Sequence, residues 1–121
     1  MELMVVILIV GLLAAAAIPM MQGRIDSAKW AEAQATAGMI RRAEQMYFLE
    51  TGNTIKGKLS NKNKADALGL QSADINGTYF VAEDYRITQV DSEGLATIKV
   101  TASQSNAPSG SKTLYPNGDW E

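Results

Sequence analysis

The 121-residue chain carries 11 Lys and Arg against 13 Asp and Glu, for a net charge of -2, and has neither Cys nor His. That balance gives no cationic field to hold nucleic acid by counterion release. The missing Cys and His remove disulfides, thiolate metal sites, cysteine nucleophiles and the commonest general base. With no Gly-rich phosphate loop and no nucleophile-and-base pair either, the sequence predicts a non-enzymatic protein of one domain plus an extension, with no cofactor and no nucleic acid as its main ligand.

The chain opens with MELMVVILIVGLLAAAAIPMM, in which Glu2 is followed by apolar or glycine positions from Leu3 to Pro19 and on to Met21. A charge-free run of that length predicts a membrane span. A carboxylate at its mouth loses hydration near lipid, which marks Glu2 as a functional residue with a positive partner. Proline at 19 removes a donor and clashes with the carbonyl of Ala15, so a kink or unwound stretch is expected between Gly11 and Pro19. Ala14 to Ala17 make the same segment thin enough for close helix packing. No basic region or cleavage site precedes the run, which reads as an already processed start. Arg24 and Lys29 follow it, which taken alone favours the N-terminus outside, a rule that carries little weight for a trimmed start.

From Arg24 to about Glu50 the pattern turns amphipathic, with two apolar stripes. One holds Ile25, Ala28, Ala35, Met39, Ala43 and Met46, and is expected to cover a sheet. The other holds Trp30, Ala33, Ala37, Ile40 and Phe48; a second stripe would be left wet in a monomer, and so points to assembly. Thr51-Gly52-Asn53 ends the helix, since Gly commonly follows a helix C-terminus.

The stretch after Gly52 is polar and broken by glycines, a connecting loop with one short helix near Lys64 to Leu68. From Tyr79 two alternating runs flank Asp91-Ser92-Glu93-Gly94, a hairpin signal, and KTLYPNGDWE adds a strand interrupted at Pro116-Asn117-Gly118. Val81, Tyr85, Ile87, Ile98 and Val100 form the apolar face of a sheet too small to stand without the helix. The regions are thus 1–23 (membrane and assembly helix), 24–51 (its amphipathic continuation), 52–78 (connecting loop) and 79–121 (sheet and C-terminal loop). Asn76-Gly77-Thr78 matches a glycosylation sequon but reads as a turn. Trp30, Tyr47 and Phe48 read as core, not as a conducting path.

The order E-L-M-V-V-I-L-I-V-G-L-L-A-A-A-A-I-P, with Glu2, Gly11 and Pro19 at these separations, resembles the mature N-terminus of type IV pilins and of type II secretion pseudopilins. The likeness covers about the first quarter of the chain closely, and three residues of the family pattern are missing before Met1. The resemblance implies an α+β fold in which a long kinked N-terminal helix, membrane-spanning in its first half, packs on a small antiparallel sheet. It implies a pilus subunit that polymerises through its N-terminal helices for adhesion, motility or DNA uptake, or else a major pseudopilin of a type II secretion system. A monomeric membrane-anchored binding domain is the reading of a different class. Under the resemblance, Glu2 attracts the terminal amine of a neighbouring subunit and the segment from Gly11 to Pro19 melts on assembly. Leu3, Val6, Ile9 and Leu13, with Trp30, Ala33, Ala37 and Ile40, would pack the filament core. The implied partners are further copies of the chain, the inner membrane before assembly, a prepilin peptidase, an assembly ATPase and a platform protein. The C-terminal loop that many pilins close with a disulfide must be held in another way. Asp74, Asn76, Asp119 and Glu121 could offer oxygens to calcium, as in some pseudopilins, but their spacing fits no calcium loop and they read as solvated turn residues.

Overall fold

The computed structural model describes residues 2–121, with side-chain environments for all of these except 16–22. Helix α1 runs unbroken over Glu2–Thr51, 50 residues or about 75 Å of rod. It stops where Gly52 adopts φ +72 and donates its N–H to the Phe48 carbonyl at 2.8 Å, a left-handed cap that a β-carbon would strain.

Two features of the expected fold need correction. The helix is one element through Gly11 and Pro19, with no unwound stretch between them; Ala14 to Ala17 ahead of the proline and Met20 and Met21 after it are strong helix formers that carry the ladder past its single lost donor. Nor is a membrane-spanning first half found: among the described residues no helix is long and apolar enough to cross a membrane. The described apolar side chains run from Leu3 to Ala15, about 20 Å of helix against a hydrocarbon core of about 30 Å. The fold is α+β, a long rod carrying a small antiparallel sheet.

The connecting region holds more structure than one short helix. Strand β1 (Gly57–Lys58) leads to helix α2 (Lys62–Ala67), whose Asn61 side chain accepts from the Asn63 N–H at 3.1 Å, and then to helix α3 (Ser72–Ile75). Leu59, Ala65, Leu68, Leu70 and Ile75 from this stretch are buried and close one end of the core.

Strands β2 (Tyr85–Val90), β3 (Ala96–Thr101) and β4 (Ser111–Leu114) complete a four-stranded antiparallel sheet in sequence order. The alternation seen from Tyr79 does not extend β2 backwards: residues 82–84 make a single 3-10 turn. Asp84 explains it, because its carboxylate accepts from the Val81 N–H at 3.0 Å and from the Ser103 hydroxyl, tying the chain into a cap rather than a ladder. The β2–β3 turn is built as the sequence suggests. Asp91 accepts from the N–H groups of Glu93 and Leu95, each at 2.9 Å, and Gly94 takes φ +84 with its α-carbon against the Phe48 ring.

The assignment of the two helical stripes is reversed. Trp30 is 7% exposed and Ala33, Ala37 and Ile40 are fully buried beneath the sheet, in one core with Phe80, Tyr85, Ile87, Ile98, Val100 and Leu114. Ile25 and Met46 of the other stripe stay exposed, at 42% and 60%. The buried positions step by three and four along α1, and the two alanines let β3 approach the helix axis closely. Trp30 fills the end of this seam, with Phe80 at 5.0 Å between ring centroids and Trp120 edge-on at 6.1 Å.

Candidate functional site

The exposed surface of α1 divides sharply. From Leu3 to Leu13 every large apolar side chain is bare: Leu3, Val6, Ile9 and Leu13 are 77%, 56%, 51% and 67% exposed, and the residues between them are similar. This surface is apolar around its whole circumference, a pattern found on helices enclosed by other apolar matter. Glu2 stands exposed at its open end, in the first helical turn, where the helix dipole favours an anion. Gly11 meets nothing within 4 Å of a built β-carbon. Pro19 lies among the residues whose side chains are outside the described set, so its part in any melting on assembly stays an expectation.

Of the residues expected to pack a filament core, the structure therefore brings two separate groups. Leu3, Val6, Ile9 and Leu13 are free to meet another chain. Trp30, Ala33, Ala37 and Ile40 are not, because the chain's own sheet already covers them. The physical reason is area: only the sheet is large enough to keep this seam dry, and Trp30 with two alanines matches its face better than the methionine-bearing stripe does.

Below the bare segment, α1 holds the rest of the chain with charged side chains aimed at loop backbone. Lys29 donates to the Asn106 carbonyl at 2.7 Å and stands 5.0 Å over the Tyr79 ring. One Glu32 carboxylate oxygen accepts from the N–H groups of Tyr79 and Phe80 at 3.0 and 3.2 Å. Arg41 donates to the Tyr115 and Pro116 carbonyls at 3.3 and 3.1 Å. Glu44 accepts from the Ile55 N–H at 3.1 Å. These contacts fix the loops that a chain without cysteine cannot fasten covalently. The C-terminal loop gains a second hold from a backbone bridge between Leu114 and Trp120 and the paired bonds of Thr113 with Glu121, at 2.7 and 3.0 Å.

Nothing local in the sequence marks these charges as holders of loop backbone. For Glu44 the missed signal is its spacing, four residues after Ile40 on the buried seam. It is fully buried, its second oxygen has no hydrogen-bond partner, and desolvation pushes its carboxyl above the usual range of 4.5 although the Ile55 N–H pulls the other way. Tyr85, also fully buried, is pushed up to about 12 by desolvation; the Thr36 hydroxyl opposes this and the Glu32 and Asp84 carboxylates add to it.

The remaining candidates serve turns. Asp74 accepts from the Gln71 N–H at 2.9 Å, Asn76 from the Ala82 N–H at 2.7 Å, and Asp119 from the Asn117 amide at 2.9 Å. Among the described residues no group of three or more acids could hold a metal ion. Gly77, inside the sequon, is pressed against the Glu32 carboxylate where a β-carbon would collide. No protein-family model matches the chain, and no curated protein matches it either.

Proposed function

We propose that this chain is the structural subunit of a type IV pilus-like filament at the cell surface, polymerising by bundling the first half of α1 with the same segment of other copies. The observation that supports this best is the bare apolar rod from Leu3 to Leu13 on a chain whose sheet is already packed on the helix from Trp30 to Glu44. Enclosing each such Leu, Ile or Val stabilises an assembly by about 1.5–3 kcal/mol. A second copy offers the same surface, thinned by Ala14 and Ala15 for close approach. Glu2, exposed at the rod's end, suits a neighbour's terminal amine, whose charge would offset the carboxylate's lost hydration. The subunit itself does no chemistry under this reading; a prepilin peptidase, an assembly ATPase and a platform protein would prepare and stack it.

The test expresses the chain with a working pilus-assembly machine and images sheared material by electron microscopy. Wild type should give filaments of uniform width, whereas Glu2→Ala and Ile9→Glu should leave folded subunits that do not polymerise. Dispersed wild-type subunits, or normal filament yield from Ile9→Glu, would overturn the proposal.

A further inference from the structure

The face of the sheet turned away from α1 carries a row of cations set by strand register. Lys58 on β1 lies opposite Arg86 on β2, and Arg86 lies opposite Lys99 on β3. Tyr85, Ile87, Ile98 and Val100 on either side of them point into the core, so the three cations share the outer face. Strands stand about 4.8 Å apart, and like charges directly opposite one another destabilise a sheet. Among the described residues one acid answers the row, Glu83, whose carboxylate is 3.8 Å from the Lys58 ammonium with both side chains more than half exposed; such a pair contributes little. Asp84 also borders the row, but it is 3% exposed and already accepts from the Val81 N–H and the Ser103 hydroxyl. Beside the row is an open cavity of about 330 Å³ lined by Lys58, Arg86, Lys99, Thr101 and Ser103, with Glu83 and Asp84 at its border.

We propose that this cavity binds a compact free anion carrying one or two phosphate groups, with inorganic pyrophosphate as its simplest form. Arg86, at the centre of the row, offers the planar fork that grips two oxygens at once. Lys58 and Lys99 flank it as point charges, and Thr101 adds a neutral donor. The anion removes the mutual repulsion that the register imposes. Two observations favour a compact ligand over a polymer: Glu83 blocks the Lys58 end of the row, and the chain as a whole is negative. The site lies on the sheet, apart from the bare half of α1, and stands or falls independently of filament assembly.

The experiment follows backbone amide shifts of the isotopically labelled full chain, held in neutral detergent, during titration with pyrophosphate at constant ionic strength. The expected result is saturable shifts centred on Arg86, Lys99 and Thr101, and a melting temperature that rises with ligand. Arg86→Gln should weaken binding about tenfold, the loss of one charge-assisted bidentate contact, while Lys62→Gln on α2 should bind as wild type. Chloride producing the same shifts, or undiminished binding by Arg86→Gln of unchanged circular dichroism, would overturn the site. A response to long polyphosphate but not to pyrophosphate would overturn the compact ligand.

Discussion

The two halves of α1 are a single helix with opposite solutions to the same problem. Both are rich in apolar residues, yet Ile9 is half bare while Ile40 is fully buried. What separates them is the supply of chain to cover them. The 70 residues after Thr51 make one small sheet with its flanking turns, enough to sheathe about 15–20 residues of helix. The sheet settles where the helix offers both a small-residue seam and charged side chains that can reach loop backbone, between Lys29 and Glu44. The stretch from Leu3 to Leu13 has apolar surface in plenty but no polar side chain with which to hold a loop. Apolarity alone thus does not decide which part of a helix becomes the core of a subunit.

The contrast is tested most severely by placing the same charge in each half. Ala37→Glu puts a carboxylate into a fully buried position beneath β3, and unfolding of the sheet domain by about 3–5 kcal/mol is expected in chemical denaturation. Ile9→Glu should leave the denaturation curve of the sheet domain unmoved. Equal effects at both sites would show that the halves are not distinct. Trp30→Ala should cost nearly as much as the charge, about 3–5 kcal/mol less any collapse of the cavity, and should shift the fluorescence of Trp120, its edge-on neighbour.

Smaller changes sharpen the account of how the second half holds its loops. Arg41→Ala removes the one guanidinium nitrogen that donates to both the Tyr115 and Pro116 carbonyls, which are partly exposed; about 1 kcal/mol is expected. Its signature should be local, with faster amide exchange around Asp119 and Glu121 and unchanged protection in β3. Global loss of protection would mean that Arg41 supports the core instead. The gentlest change is Glu44→Gln, which keeps an oxygen for the Ile55 N–H and discards the charge. Because burial raises the Glu44 carboxyl above 4.5, the protonated form suits the fold. The stability it contributes is fully present below 4.5, where the carboxyl is protonated folded or unfolded, and is lost as pH rises through the folded value. Thermal melts should therefore show the glutamine variant gaining on wild type with rising pH and converging with it in acid. A difference independent of pH would place the effect in packing.

Much of the layout is legible in the residues because its signals are local. Gly52 ends α1, Asp91 and Gly94 build the β2–β3 turn, and the alternation of Tyr85, Ile87, Ile98 and Val100 marks the face of the sheet that meets the helix. The stripe beneath that sheet was misread because Trp30-Ala33-Ala37-Ile40 and Ile25-Ala28-Ala35-Met39 have nearly the same period. Only tertiary fit separates them. Carrying the first stripe forward to Glu44 would have seemed to argue against it, since a carboxylate looks foreign to a core. The unwound stretch expected between Gly11 and Pro19 is absent for a related reason: a proline penalty is local, and a helix of this length absorbs it. The roles of Lys29, Glu32 and Arg41 are not legible, because their hydrogen-bond partners lie 47 to 77 residues away in sequence.

The four loop contacts from Lys29 to Glu44 lie along about 22 Å of one rod, and this arrangement has a mechanical meaning. A pull along the axis of α1 loads all four contacts and the packed seam in shear, side by side, so that no single bond takes the whole force. A pull at right angles on the C-terminal loop would instead meet Arg41 and the Thr113–Glu121 pair first and peel them one after another. The molecule should be tough along its rod and weak across it, an anisotropy achieved without a covalent cross-link.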